Sequence, residues 1–263
     1  MTPLAAAQPG RPCIEVRGLT MAFGDRVVQR DLDFTIGEGD IFIIMGGSGC
    51  GKSTLMRHMI GLQPPAAGQV LYGGESFWDM DHERRERLMQ EIGILYQRGA
   101  LWSSLTLLEN VSLPLEQYTD LSPASIEELA RLKLALVGLA GFEEFLPAEI
   151  SGGMQKRAAL ARAIALDPRI LFFDEPSAGL DPVSAHRLDR LILELRDSLG
   201  ATVVLVTHEL QSIFAIGSNS VFLDAGARTQ IATGDPRRLL RESTDPRVIE
   251  FLTRGGDLQR ETP

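Results

Sequence analysis

The chain has 263 residues, of which 44% are hydrophobic, and a formal net charge of −9 at pH 7. This length and apolar content suit one large α/β domain, or a domain carrying a sizeable insertion, and exclude global disorder. The acidic balance argues against a nucleic-acid partner, because DNA- and RNA-binding domains are usually basic. Only two cysteines occur, Cys13 and Cys50, so we expect no disulfide framework and a reducing compartment.

The chain carries no signal for membrane insertion. Residues 1–12 are rich in Ala, Pro and Gly and lack a basic segment followed by an apolar one, so they predict a flexible tail. No window approaches the roughly 18–20 apolar residues that span a bilayer. We therefore expect the chain to reach a membrane only through another protein.

Strand and helix signals alternate in the first part of the chain. Residues 13–34 alternate apolar and polar around Gly24 and Asp25, which predicts paired antiparallel strands. The apolar run 41–45 predicts a buried strand, followed by a glycine-rich loop and a helix over 52–60. A short strand near 70–72, a solvated helix over 82–91 and a strand over 92–96 follow.

The second part begins with a mainly helical block over residues 98–165, in which we expect Pro114, Pro123 and Pro147 to act as punctuation. Further elements are predicted as buried strands over 170–173 and 201–207, an amphipathic helix over 182–199, a last strand over 221–223 and a partly helical tail from Asp235 onward.

This order predicts a mostly parallel sheet covered on both faces, with the helical block as an inserted lobe. The predicted domain covers residues 13–234, with a core at 13–97 and 166–234 and a helical subdomain at 98–165. Residues 235–263 form a C-terminal extension in this division, and no internal repeat is visible.

A complete phosphate-loop motif, G-x-x-x-x-G-K-[ST], follows the predicted strand 41–45 and precedes a helix. Glycines let successive backbone N–H groups converge on phosphates at the helix N-terminus. In this motif the lysine reaches the β- and γ-phosphates, and the serine hydroxyl holds Mg²⁺. The candidate phosphate-binding residues are Gly46, Gly47, Ser48, Gly49, Cys50, Gly51, Lys52, Ser53 and the adjacent Thr54.

Two adjacent acids close the predicted strand 170–173. Asp174 is expected at the carboxyl edge of the sheet, where ligands bind in open α/β folds, and there it can orient Mg²⁺. Glu175 is the candidate for polarising the attacking water.

The segment Ile150-Ser151-Gly152-Gly153-Met154-Gln155 resembles the signature sequence of ABC ATPases. Ser151 is a suitable N-cap for the helix predicted over 154–165, and a helix N-terminus attracts anions. The resemblance implies a P-loop NTPase (RecA-like) core with an antiparallel β subdomain and an inserted helical subdomain. It also implies a head-to-tail homodimer enclosing two ATP molecules, in which Ser151, Gly152 and Gly153 meet the γ-phosphate held by the opposite subunit.

Other landmarks of that family occur in order. Gln97 corresponds to the Q-loop glutamine, which links Mg²⁺ and water to the membrane partner, and residues 177–181 resemble the D-loop that ends at Asp181. His208 matches the switch histidine at the γ-phosphate, and Phe23 occupies the position of the ring that stacks on adenine. The chain departs from the usual signature at Ile150 and at Met154, which leaves any contact of a fifth-position glutamine open.

Residues 98–106 resemble the corresponding segment of ATPase subunits of the MCE or Mla type, which serve phospholipid transporters, and residues 245–252 support the same assignment. The resemblance implies a location at the cytoplasmic face of the inner membrane, held by integral permease subunits that contact residues 97–106, and an MCE-type lipid-binding partner. Leu101, Trp102 and Leu105 would line an apolar groove for a helix of the permease. The alternative for Trp102 is that it packs inside the helical lobe.

Other members of the wider family remain as alternatives. A polar-solute importer of the amino-acid type shares many of the same motifs, and an ABC ATPase of iron–sulfur assembly needs no membrane. Translation factors of this class usually carry two ATPase halves, and chromosome-organising ATPases carry a long coiled coil between the phosphate loop and the signature. The span from Lys52 to Ser151 is too short for such a coiled coil and lacks sustained heptads.

Overall fold

The computed structural model describes residues 11–97 and 99–254. Most of the predicted N-terminal tail, Arg98 and the end of the predicted extension therefore lie outside the described residues. A 3₁₀ turn spans Pro147–Glu149. In chain order the strands and helices are β1 (Pro12–Phe23), β2 (Arg26–Gly37), β3 (Ile41–Gly46), α1 (Lys52–Met59), β4 (Ala67–Tyr72), β5 (Glu75–Ser76), α2 (His82–Gln90), β6 (Ile92–Leu95), α3 (Leu107–Tyr118), α4 (Pro123–Leu136), α5 (Gly152–Ala163), β7 (Ile170–Asp174), α6 (Pro182–Leu199), β8 (Thr202–Val206), α7 (Leu210–Ile216), β9 (Asn219–Asp224), β10 (Thr229–Thr233), α8 (Pro236–Glu242) and α9 (Pro246–Thr253).

The chain divides into two compact units. The first contains the described residues up to His82 together with those from Thr202 onward, and the second is Glu83–Ala201. The first unit includes α8 and α9, so the described part of the predicted extension belongs to a compact body. There Phe251 on α9 packs edge-on against Phe222 on β9, with ring centroids 5.1 Å apart, and Arg247 Nη1 lies 2.8 Å from Asp224 Oδ1.

Two sheets build the first unit. The strands β2, β1, β4 and β5 form an antiparallel sheet in that order, and the hairpin between β1 and β2 turns at the predicted Gly24. In the second sheet β3 runs parallel to both β8 and β9, while β10 adds antiparallel to β9. All six residues of β3 are buried, as expected of a near-continuous apolar strand in a parallel sheet. This central strand ends at Gly46, where the phosphate loop begins.

The second unit combines the parallel pair β6 and β7 with most of α2 and with helices α3 to α6. Thr106 and Glu109 form a capping box at the start of α3, and Ser122 caps α4 with Pro123 in its first turn. The predicted role of Pro114 as punctuation is wrong, because Pro114 lies inside α3. Leu107 and Val111 before this proline and Leu115 after it are buried, so packing of the helix offsets the lost backbone hydrogen bond.

The predicted strands and helices are confirmed to within a few residues at their ends, with three additions. The sequence interpretation missed β5, α7 and β10, so the strand near 221–223 is not the last one. β10 was missed because this edge strand, Thr-Gln-Ile-Ala-Thr, is only half-buried and has little apolar patterning. Among the helices in the described ranges, none combines the length and the hydropathy that crossing a bilayer requires.

Gly61 follows α1 in a left-handed conformation with φ 73°, and a Cβ there would lie 2.1 Å from a ring carbon of Phe77. We expect Gly61→Ala to lower the free energy of unfolding by about 2–4 kcal/mol, from backbone strain plus overpacking. Gly73→Ala is the matched control, since φ is 57° and a Cβ would meet no atom within 4 Å. It should cost only about 1–2 kcal/mol. Equal losses in urea denaturation would contradict the steric argument.

Candidate active site

The backbone of the phosphate loop is pressed against its neighbours at two glycines. Gly46 has φ 146°, and a Cβ there would lie 2.3 Å from the carbonyl oxygen of Leu223 on β9. Gly51 has φ 98°, and its Cβ would lie 2.8 Å from Val28 Cγ1. Between them, residues 47–49 are exposed. The two ends of the loop are therefore fixed by close packing, and its middle is open to a ligand.

Lys52 begins α1 and folds back over the loop. Its Nζ donates hydrogen bonds to the carbonyl oxygens of Gly46 at 2.9 Å and Gly47 at 3.0 Å. Ser53 and Thr54 follow in the first turn and are half-buried. An ammonium group and the positive end of a helix thus meet at one exposed loop, a combination that fits a polyphosphate.

Gln29 on β2 binds the backbone of the phosphate loop. The sequence interpretation missed this residue. Its side chain is fully buried, and its Nε2 donates to the carbonyl oxygens of Cys50 at 2.7 Å and Asp224 at 3.1 Å. Gln29 therefore ties the phosphate loop to the end of β9. The available signal was a polar residue at an inward position of an alternating strand.

Cys50 is a free cysteine whose side chain is buried. Burial raises the pKa of its thiol, and the nearby charge of Lys52 opposes this rise only in part. The thiol is consequently protonated at neutral pH and weakly nucleophilic. Cys50 contributes to the loop through its backbone, and its burial disfavours reaction with thiol reagents.

Phe23 and His208 are both exposed in the first unit. Phe23 ends β1 with 52% of its surface accessible, which leaves the ring face available for stacking. His208 follows β8, and its Nε2 lies 3.7 Å from Glu209 Oε1. A groove of about 690 Å³ is bordered by both Gly47 and His208, with α9 along its side. The first unit thus brings the phosphate loop and the predicted switch histidine to one groove.

In the second unit β7 delivers Asp174 and Glu175. Asp174 is its last residue, and Glu175 has a positive φ of 49°, an uncommon conformation for a residue with a Cβ. Such strain persists where the surrounding structure enforces it and is frequent at active sites. Lys156 on α5 donates to the carbonyl oxygens of Pro176, at 2.8 Å, and Ala178. Burial lowers the pKa of Lys156, whereas the charge of Glu175 acts in the opposite direction.

The signature segment begins α5 as predicted. Ser151 is the N-cap, and its Oγ accepts a hydrogen bond from Met154 N at 3.3 Å. A Cβ at Gly152 would meet no atom within 4 Å, and one at Gly153 would meet only Leu180 Cδ2, at 3.5 Å. Packing within the chain therefore does not require either glycine.

Gln155 does not replace the fifth-position glutamine of the usual signature. Its Nε2 donates to the carbonyl oxygens of Pro147 at 2.8 Å and Ile150 at 3.4 Å, so the amide is bonded within its own chain. The one-residue shift seen in the sequence thus gives Gln155 a structural role.

Asp181 caps α6, accepting hydrogen bonds from the backbone N–H groups of Val183 and Ser184, each at 3.0 Å. Hydrogen bonding by Ser184 is the main reason that the pKa of this carboxyl lies below its usual value. Gln97 is exposed and lies two residues after the end of β6. Among residues 11–97 and 99–254, no three His, Cys, Asp or Glu side chains are grouped to hold a metal ion.

A glycine-rich loop between a buried parallel strand and a helix, closed by Lys52 and Ser53, defines the P-loop class of nucleotide-binding proteins. Residues 29–178 match the ABC transporter family. The chain belongs to the ATP-binding subunits of this family, and ATP is the nucleotide that they bind.

Curated relatives of the chain cover most of its length. The probable ribonucleotide transport ATP-binding protein mkl of Mycobacterium tuberculosis is 38% identical over 91% of the chain. The chain spans only 66% of the length of that relative. The intermembrane phospholipid transport system ATP-binding protein MlaF is 37% identical in Haemophilus influenzae and 36% in Escherichia coli. These matches cover 91% of the chain and 89% and 88% of the two relatives.

Solved structures of ABC ATPases share the fold. The protein cbiO1 of Clostridium perfringens, part of the ABC transporter complex cbiONQ, superposes with a TM-score of 0.80, 26% identity and coverage of 92% of this chain and 95% of its own. A dimeric ATP-binding cassette bound to ADP and Pi gives a TM-score of 0.76 at 29% identity, covering 84% of this chain and 98% of its own. These findings confirm the predicted family and fold class.

The support that Gln29 gives to the loop can be tested with Gln29→Leu, which keeps a similar volume and removes both hydrogen bonds. We expect the dissociation constant for ATP to rise about fivefold, since a lost buried hydrogen bond costs about 1 kcal/mol. Gln230→Leu is the control, because Gln230 Nε2 bonds to the Asp33 carbonyl rather than to the loop. Titration with a fluorescent ATP analogue checks both variants, and an unchanged affinity in Gln29→Leu would contradict the assignment.

Proposed function

We propose that the chain is the ATP-hydrolysing subunit of an ABC transporter in which partner membrane subunits move a hydrophobic substrate, most specifically a phospholipid. The observation that carries this proposal is the likeness to the two MlaF proteins, which extends over 88–89% of their lengths. ATP hydrolysis follows from the family together with the arrangement of the phosphate loop and of Glu175.

In this proposal each predicted site residue has its own task in binding or hydrolysing ATP. The loop from Gly46 to Ser53, with Thr54, holds the phosphates through backbone N–H groups, and Lys52 exchanges its carbonyl partners for phosphate oxygens. Phe23 stacks on the adenine ring. Ser53, Asp174 and Gln97 would hold Mg²⁺, which supplies neutralisation of the phosphate charge.

Glu175 is the proposed catalytic base. Its constrained backbone fixes where the carboxylate lies, and positioning is the main source of catalysis in phosphoryl transfer. Glu175 accepts the proton of the attacking water, while His208 contacts the γ-phosphate and holds it in place. Lys156 orders the segment after Glu175 through the carbonyls of Pro176 and Ala178.

The signature segment is proposed to act on a second copy of the chain. Gly152 and Gly153 meet little within their own subunit, so their small size serves the close approach of another molecule. Ser151 at the positive end of α5 would then meet the γ-phosphate bound by the partner of a homodimer. Because the Asp181 carboxylate is engaged as a cap, we assign its role across the dimer to fixing the backbone of residues 177–181.

Trp102 is the proposed anchor for the permease. Its backbone is pinned by Asn110, which accepts from Trp102 N at 2.8 Å and donates to the Trp102 carbonyl at 3.0 Å. The side chain nevertheless remains 62% exposed. A rigidly presented tryptophan suits the docking of a helix from a membrane subunit, and it opposes the alternative that Trp102 packs inside the lobe. The chain would thus be held at the cytoplasmic face of the inner membrane.

The name of the mycobacterial relative favours a second candidate substrate, a ribonucleotide. We prefer a phospholipid because the chain matches nearly the whole MlaF relatives but only 66% of mkl. An MCE-type lipid-binding subunit would then complete the transporter. A polar-solute importer and an iron–sulfur assembly ATPase are further outcomes that an experiment must separate.

Replacing Glu175 with Gln should lower ATP turnover by two or more orders of magnitude, roughly the contribution of a general base. ATP binding should persist, and size-exclusion chromatography with ATP and Mg²⁺ should then show a stable dimer. Glu194→Gln, at an exposed surface ion pair on α6, is the control and should keep normal turnover. Near-normal turnover in Glu175→Gln would remove this residue from the role.

Co-purification identifies the partners and the substrate. The tagged chain is isolated from detergent-solubilised membranes, its partners are identified by mass spectrometry, and bound lipid is extracted. We expect a multi-span permease, a lipid-binding subunit and phospholipid. Capture should weaken in Trp102→Ala and persist in Tyr118→Ala, a second exposed aromatic of the same unit. A permease for polar solutes or ribonucleotides would reject the lipid assignment, and purely soluble partners would reject transport.

A further inference from the structure

Helix α5 carries three cationic side chains, each of which donates hydrogen bonds to the backbone of a different segment of the second unit. Lys156 bonds to Pro176 and Ala178, Arg157 to Val137 and Gly138, and Arg162 to Gly99 and Ala100. All six acceptors are backbone carbonyl oxygens. Each of these side chains therefore binds the main chain of another segment rather than a carboxylate. The helix that begins at the signature segment is therefore attached to three other parts of its unit.

Arg162 holds the turn that follows Gln97. Its Nη1 donates to the Ala100 carbonyl at 2.9 Å and its Nη2 to the Gly99 carbonyl at 3.1 Å, so one guanidinium group spans two consecutive peptides. Both residues adopt the left-handed conformation, with φ 72° at Gly99 and φ 53° at Ala100. In this turn both carbonyl oxygens point toward the guanidinium group of Arg162. Rotation of either peptide would break one of the two hydrogen bonds.

The same turn is also packed tightly against α5. Gly99 is buried, and a Cβ there would lie 3.2 Å from Ala159 Cβ. Its backbone N–H donates to the Tyr96 carbonyl at 2.8 Å, which closes the turn. The turn can therefore move only together with α5, or after both hydrogen bonds to the partly buried Arg162 are broken. Breaking these bonds is unfavourable, because it leaves a buried charge without partners.

Lys156 makes the corresponding attachment six residues earlier in the helix, to the segment that follows Glu175. Between the two anchors, residues 158–161 are all buried, so this part of α5 is locked in the interior of its unit. The backbone at Gly99 and Ala100 and the segment 175–178 are thus both hydrogen-bonded to one buried helix.

We propose that α5 transmits displacements between the permease-facing segment 99–106 and the catalytic segment 175–178, and that Arg162 is the positioning residue that makes this coupling. The inference rests on the proposed function, because it assigns ATP hydrolysis to Glu175 and partner binding to residues 99–106. Arg162 touches neither nucleotide nor partner in this scheme and acts only through the backbone of Gly99 and Ala100.

Arg157 provides the matched control on the same helix. It also donates to two backbone carbonyls, at 3.0 Å to Val137 and 2.9 Å to Gly138, and burial lowers its pKa as it does that of Arg162. Its partners lie at the end of α4. Loss of Arg157 should therefore reproduce any general destabilisation of α5 without releasing the backbone of Gly99 and Ala100.

The test uses hydrogen–deuterium exchange of the full chain in the Glu175→Gln background, with and without ATP and Mg²⁺. Addition of ATP should change amide exchange in residues 99–106. Arg162→Met should reduce that change roughly fivefold or more, within the usual range of coupling between sites. Arg157→Met should retain it, and Arg162→Lys should restore part of it, because an ammonium can still reach one carbonyl. Affinity for a fluorescent ATP analogue and the melting temperature are recorded for every variant.

Equal effects of Arg157→Met and Arg162→Met on segment 99–106 would overturn the proposal, as would a parent protein in which ATP leaves this segment unchanged. If Arg162→Met does not fold, Arg162→Lys decides, since a full response in that variant would exclude a need for the bidentate fork. In the purified transporter, stimulation of ATPase activity by the permease should fall selectively in the Arg162 variants. If no permease is found but the exchange result holds, the transport assignment fails and the coupling through α5 stands.

Discussion

The rest of the first unit depends on one close approach, that of the Gly46 backbone to the Leu223 carbonyl at the end of the buried strand β3. This contact brings two parallel strands together where the phosphate loop begins, and Gln29 completes it from the antiparallel sheet by bonding both Cys50 and Asp224. The shape of the loop is thereby set by contacts within the chain. Such preorganisation leaves little reorganisation to be paid during catalysis.

The sequence was most informative where chemistry is local. The phosphate loop, the cap at Ser151 and the helix over 182–199 were predicted because each is determined by neighbours in the chain. Gln29 and Arg162 were not recognised, since their partners lie 21 to 195 and 62 to 63 residues away, respectively. A polar residue in an alternating strand, or an arginine in a signature helix, does not reveal which backbone it will hold. Long-range contacts of this kind require the fold.

In the second unit, helix α5 has an exposed start and a buried body, a difference that the sequence does not reveal. Near the N-terminus of α5, Ser151 and the glycines face outward with little packing of their own, whereas Gln155 and the three cations bind inward. One helix thus combines an exposed N-terminal end with a body that is hydrogen-bonded to its own unit. The departure from the usual signature at Met154 is consistent with this arrangement. The neighbouring Gln155 bonds to the Pro147 carbonyl and so belongs to the inward-bonded part of the helix.

The open surroundings of Gly152 have a genetic consequence. Because a Cβ there would meet no atom within 4 Å in its own subunit, a small substitution at Gly152 would escape the folding checks that remove unstable proteins from cells. The altered chain would accumulate normally and enter assemblies beside intact copies. In a homodimer, one such copy would compromise the shared interface. Alleles at this position are therefore expected to be dominant, whereas alleles that disrupt the core would be recessive.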